Sequence, residues 1–162
     1  MIERMFRATK LDVDLYEEVE HDQRYTTEAF LIVLIVSLLS ALGGLFIADD
    51  GTSRVALFIA ALVIGLLGWV VWAVIADFVG RTFFGATSDV GEMLRVIGYA
   101  QSVLVLAVIP FLGFLASIWS LVCLVVALRQ GLDITTGKAI AVGIIGWLVI
   151  FIASVLVYTI LV

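Results

Sequence analysis

Five stretches of this chain carry apolar residues without a helical or strand-like alternation, and short polar segments separate them. Ala29 to Ala48 is free of charge and ends at the turn-forming string Asp49, Asp50, Gly51. Val55 to Ala76 follows, bounded by Arg54 and Asp77. A helix rises about 1.5 Å per residue and the hydrocarbon core of a bilayer is about 30 Å thick, so each run suits one transmembrane helix. From Val96 to Leu128 no charge occurs, and about 50 Å of helix is too long for a single straight span. Pro110 removes a backbone donor and Gly113 follows it, which predicts a tight turn between two shorter spans. The expected spans are therefore 29–48, 55–76, 94–109, 111–128 and 139–162, in one all-α membrane bundle behind a polar segment, 1–28. A four-span reading keeps Val96 to Leu128 as one bent helix.

The polar segment has its own periodicity. Met1, Ile2, Met5 and Phe6 share one side of a helical wheel and Arg4, Arg7 and Lys10 the other, the pattern of a short amphipathic helix at a membrane surface. In the next stretch Asp12 or Asp14 is a candidate N-cap, and Leu15, Tyr16 and Val19 form a narrow apolar stripe. Within the spans, small residues recur at helical spacing: Ser37, Ala41, Gly44 and Ala48; Ala61, Gly65, Gly68 and Ala76; Gly113, Ala116, Ser117, Ser120 and Ala127; Ala139, Gly143, Gly146 and Ala153. Such stripes let helix backbones approach closely in lipid.

Composition agrees with the pattern, since 64% of the 162 residues are hydrophobic and only 14% charged, well below the quarter usual in soluble domains. The net charge of −5 is local: eight acids precede Ala29, which also argues that the first apolar run is retained rather than cleaved as a signal peptide. Orientation follows from lysine and arginine. With the N-terminus in the cytoplasm, five spans place Arg4, Arg7, Lys10, Arg24, Arg81, Arg95, Arg129 and Lys138 inside and only Arg54 outside, with the C-terminus outside. Four spans would put Arg129 and Lys138 outside.

Little chemistry is offered. The lone Cys123 lies in an apolar run and reads as a buried hydrophobe, and the lone His21 has no second histidine beside it for a metal. No catalytic constellation, cofactor site or metal site can be assembled, so an enzyme is not expected. No basic patch suggests nucleic acid. Inside the membrane Tyr99 and Gln101, with serines and with Ser154, Tyr158 and Thr159, are the polar groups; Tyr99 and Gln101 form the candidate intramembrane polar site. In the polar loop read from Asp77 to Arg95, Asp89 and Glu92 resemble a capping box. Farther on, Arg129 and Asp133 stand four apart, and Thr135 or Thr136 is a candidate cap for the fifth span. Asp77, Arg81, Glu92, Arg95, Arg129, Asp133 and Lys138 then share one depth at the cytoplasmic surface, a candidate contact ring for lipid headgroups or a partner.

Four segments carry a resemblance: RMFRATKLDVDLYEEVEHD at Arg4 to Asp22, EMLRVIGYAQS at Glu92 to Ser102, Pro110 with Gly113, and VALRQGLDITTGKAIAV at Val126 to Val142. Together they resemble prokaryotic members of the Yip family, the Ypt/Rab-interacting membrane proteins, although Val13 stands where many relatives have proline. The resemblance implies a non-enzymatic membrane scaffold, organiser or trafficking-like factor whose partners are membrane lipids and a second copy or a protein at the cytoplasmic face. In eukaryotic relatives a cytoplasmic N-terminal domain contacts lipid-modified small GTPases; here that region is confined to residues 1–28. A small transporter or channel built around Gln101 and the serines is the other reading.

Overall fold

The computed structural model describes residues 1–45, 53–109 and 111–161, with the side chains of all of these except Ser154, Val157, Tyr158, Ile160 and Leu161. The turn expected at Asp49 to Gly51, the break expected at Pro110, and the side chains of Ala48, Ser154 and Tyr158 lie outside the described residues.

Among the described residues seven α-helices follow one another: α1 (Ile2–Thr9), α2 (Val13–His21), α3 (Tyr25–Leu45), α4 (Arg54–Phe84), α5 (Val90–Ala100), α6 (Leu112–Gly131) and α7 (Thr136–Leu161). A 3-10 segment, Gln101–Val108, prolongs α5. Counting α5 with that extension, five helices are long and apolar enough to cross a membrane. Among the described residues there is no strand.

Local chemistry explains where these helices start. The Asp12 carboxylate accepts the Leu15 N–H at 3.3 Å and so caps α2. Asp89 and Glu92 make a reciprocal capping box at α5, each backbone N–H donating to the other's carboxylate at 2.9 Å. The Ala139 N–H donates to the Thr135 carbonyl at 2.9 Å, which places Thr135 at the start of α7.

Helix α4 departs from the pattern read in the sequence. It runs unbroken through Phe84, because the chain meets no breaker before Gly85, whose φ of 70° ends the helix in the left-handed region. Its 31 residues span about 46 Å. Asp77 and Arg81 accordingly stand on a helix, and the loop expected from Asp77 to Arg95 shrinks to the five residues between α4 and α5.

Close backbone approach holds the bundle together, as the small residues require. A Cβ at Gly98 would lie 2.8 Å from that of Ala29, which is how nearly α5 touches α3. At Gly65 it would clash with the Ser37 hydroxyl, and at Gly146 it would meet the Trp72 ring at 2.6 Å. Not every small residue is spent this way. Among the described residues nothing lies within 4 Å of a Cβ at Gly44 or Gly68, so part of each stripe meets no helix there.

The first two helices pack onto α5, its 3-10 extension and α6. Ala8, Leu15, Tyr16 and Val19 are fully buried in the same core as Met93, Val96, Cys123 and Ala127. Helix α1 therefore belongs to the bundle: the Trp119 indole N–H donates to the Thr9 carbonyl at 2.8 Å, while Ile2 and Phe6 stay about two-thirds exposed on its other flank.

Candidate functional site

The end of the bundle that carries α1 and α2, called here the N-terminal face, gathers most of the charged residues. Two clamps organise it. In the first, the Glu28 carboxylate at the start of α3 accepts hydrogen bonds from Arg4 on α1, with Nε at 3.0 Å and the terminal guanidinium nitrogen closer still, and from the Tyr99 hydroxyl on α5 at 2.7 Å. The chain's amino group is 3.6 Å away. The Arg4 guanidinium lies 5.0 Å from the centre of the Tyr25 ring, and Tyr25 meets Tyr99 edge-on.

In the second clamp Arg95 on α5, only 5% exposed, donates from Nε to the Val19 carbonyl at 2.7 Å and from a terminal nitrogen to the Glu20 carbonyl. These are two of the carbonyls that the end of α2 leaves without helical partners, and a guanidinium satisfies them while carrying positive charge to the negative end of the helix dipole. A third donor reaches the Thr26 hydroxyl at 3.5 Å.

Beside this clamp sits Glu20, buried with one carboxylate oxygen unpartnered. Its other oxygen is 3.3 Å from the His21 ring. Burial pushes the Glu20 carboxyl up to about 7, and the neighbouring Asp133, Glu92 and Glu17 charges push in the same direction while His21 opposes them. His21 is raised from its ordinary value by its hydrogen bond to the Glu17 carbonyl and by Glu20. Among the described residues no three acidic, histidine or cysteine side chains are placed to hold a metal ion.

The residues expected to form one contact ring are divided between structural and free roles. Asp77 is buried, accepts the Ser88 hydroxyl at 2.8 Å and lies 3.6 Å from Arg81. Glu92 is engaged in the capping box and Arg95 in the second clamp. Arg81, Arg129, Asp133 and Lys138 are exposed, and Lys138 reaches the Phe84 carbonyl at 3.4 Å. Asp133 sits in a turn with a φ of 51°, its N–H donates to the Gln130 carbonyl, and among the described residues no ion pair joins it to Arg129.

The intramembrane pair is likewise split. Tyr99 points to Glu28, whereas Gln101 borders a separate cavity of about 220 Å³ together with Trp72 and Ser120. Sequence reasoning missed Glu28 and Arg4 as partners. Glu28 was nevertheless visible as a carboxylate immediately before a long apolar run, where an unpaired charge is costly.

Helices of this length and polarity around a core of small residues define a multi-pass α-helical membrane protein. The Yip1 domain, as a family profile, matches residues 14–158, which covers most of the chain and includes every membrane-sized helix but the last residues of α7; the chain belongs to the Yip family. Comparisons with curated proteins and with solved structures gave no significant match.

Proposed function

We propose that this Yip-family protein is a non-enzymatic membrane scaffold, organising or trafficking-like in role, whose N-terminal face is a rigid cytoplasmic platform for a protein or lipid partner. The observation that carries this reading is the pair of clamps. Arg4, Glu28, Tyr99 and Arg95 are committed to fastening α1 and α2 to the bundle. What they leave exposed at the same end is a set of charges that includes Arg81, Asp133 and Lys138, with Arg81 beside Asp77 and Lys138 reaching the Phe84 carbonyl. In this reading the N-terminus is inside and α7 ends outside, in keeping with the distribution of lysine and arginine.

The test is purification in native lipid with quantitative identification of whatever stays bound, for the wild type and for a variant with Arg81, Asp133 and Lys138 all replaced by alanine. A scaffold loses a reproducible partner in the variant while its helicity is unchanged. Equal recovery from both would remove the platform reading.

A second reading has one observation in its favour, the 220 Å³ cavity that Gln101 borders, which suits a small transporter or channel. Solute flux in proteoliposomes that Gln101→Leu abolishes would favour it over the scaffold.

A further inference from the structure

A lateral groove of about 450 Å³ lies between α4, α6 and α7. Trp72, Leu121, Leu128, Ile140, Gly143 and Trp147 line it, and no charged or hydroxyl-bearing side chain does. Two glycines shape it. Trp72 folds over Gly146, where a Cβ would come within 2.6 Å of the ring, and this draws α4 against α7. One turn away, at Gly143, the nearest atom to a Cβ would be a Leu128 methyl at 3.8 Å, so the space there stays open. Trp147 stacks on Phe151 with centroids 5.4 Å apart and forms a stiff wall at the deep end.

In hydrocarbon such a gap does not remain empty, since its lining would lose dispersion contacts on one side. A helix with side chains is about 10–12 Å across and would rest over the groove; a single polymethylene chain is thin enough to enter it. The end nearer the N-terminal face is marked by Leu128 and Ile140. Arg129 stands one helical turn beyond Val125, which also lines the groove; it is exposed and makes no ion pair among the described residues. Thr136, also exposed, precedes Ile140 by one helical turn on the same face of α7. An uncommitted cation beside the mouth of an acyl-sized slot is complementary to a lipid phosphate.

We propose that this groove is a phospholipid site, with one acyl chain lying along Trp72, Gly143 and Trp147 and the phosphate held by Arg129. It goes beyond the scaffold reading and does not depend on it, because a transporter with the same three helices would carry the same groove.

The experiment is native mass spectrometry of the full chain released from detergent containing equal amounts of phosphatidylglycerol and phosphatidylcholine. The wild type is expected to retain one phospholipid per chain, preferring phosphatidylglycerol. Gly143→Leu fills the slot and is expected to abolish retention, whereas Gly143→Ala, for which there is room, keeps it. Arg129→Gln, at an exposed position, is expected to reduce the preference for phosphatidylglycerol about five-fold, the loss of one cation at a lipid surface. Wild-type protein that retains no lipid, or retention unaltered by both Gly143→Leu and Arg129→Gln, overturns the proposal. A lipid-free dimer dissociated by Gly143→Leu overturns it in favour of a second copy on this face. Should Gly143→Leu fail to fold, the phosphatidylglycerol preference of Arg129→Gln decides alone.

Discussion

Glu20 pays the desolvation penalty of a carboxylate placed under a helix end without a full set of donors. Its oxygen pair meets only the His21 ring, while Glu17, Glu92 and Asp133 add repulsion and Arg95 spends its donors on main-chain carbonyls. Because its folded pKa is raised to about 7 from 4.5, the folded state holds a proton that the unfolded chain releases. The contribution to stability is therefore complete below about pH 4.5 and is lost as pH rises through about 7. The thermal midpoint in detergent should fall across that window, and Glu20→Gln should remove most of the fall; an unchanged slope in the variant would contradict this assignment. Glu28 is the converse case, a carboxylate that accepts three hydrogen bonds from Arg4 and Tyr99. Glu28→Gln should cost about 2 kcal/mol, the scale of hydrogen bonds to a charged group, and should open Arg4 and Arg7 to trypsin. Unaltered proteolysis of α1 would show that the clamp does not hold it. Of these two groups, Glu28 was marked in the sequence by its place at the edge of an apolar run. Glu20 was not, since nothing in the string from Glu17 to Asp22 tells which acid the fold buries.

At the scale of helices, the same glycine serves two purposes according to what faces it. Gly98 admits α3 so closely that a Cβ would strike the Ala29 methyl and crowd its backbone, whereas Gly68 has nothing within 4 Å among the described residues. Gly98→Val is expected to destabilise the protein by about 1–3 kcal/mol, while Gly68→Ala should be neutral or gain up to about 1 kcal/mol from helix propensity. Thermal unfolding in one detergent compares the two directly, and equal midpoints for both variants would refute the packing assigned to α3 and α5. The starts of helices were legible because capping is local: Asp89 with Glu92 is visible in four residues. The extent of α4 was less so. Asp77 looks like the edge of a span, but its charge is met by Ser88 and Arg81 in the folded chain, and the helix continues past it. The tight 3-10 winding from Gln101 to Val108 had no signal in an apolar stretch that suits an α-helix equally well.

For the whole molecule, burial of α1 and α2 against α5 and α6 changes what the N-terminal segment is. A surface-lying helix would be an accessory; here Ala8, Leu15, Tyr16 and Val19 are part of the common core, and the face they complete presents Arg81, Arg129, Asp133 and Lys138 around them. The membrane class and five membrane-sized helices could be read from unbroken apolar runs, because lipid demands continuous apolar length. The division of the contact ring into buried, bonded members and exposed ones could not, because it depends on which side chains from distant segments meet. The central claim is that the N-terminal face lies wholly on the cytoplasmic side. Single cysteines placed at Arg24, Ala86, Asp133 and Ser53, in a chain whose own Cys123 is buried, can be challenged in intact cells with a membrane-impermeant maleimide. The account predicts labelling at Ser53 alone until the cells are permeabilised, and labelling of Asp133 or Arg24 from outside would contradict it.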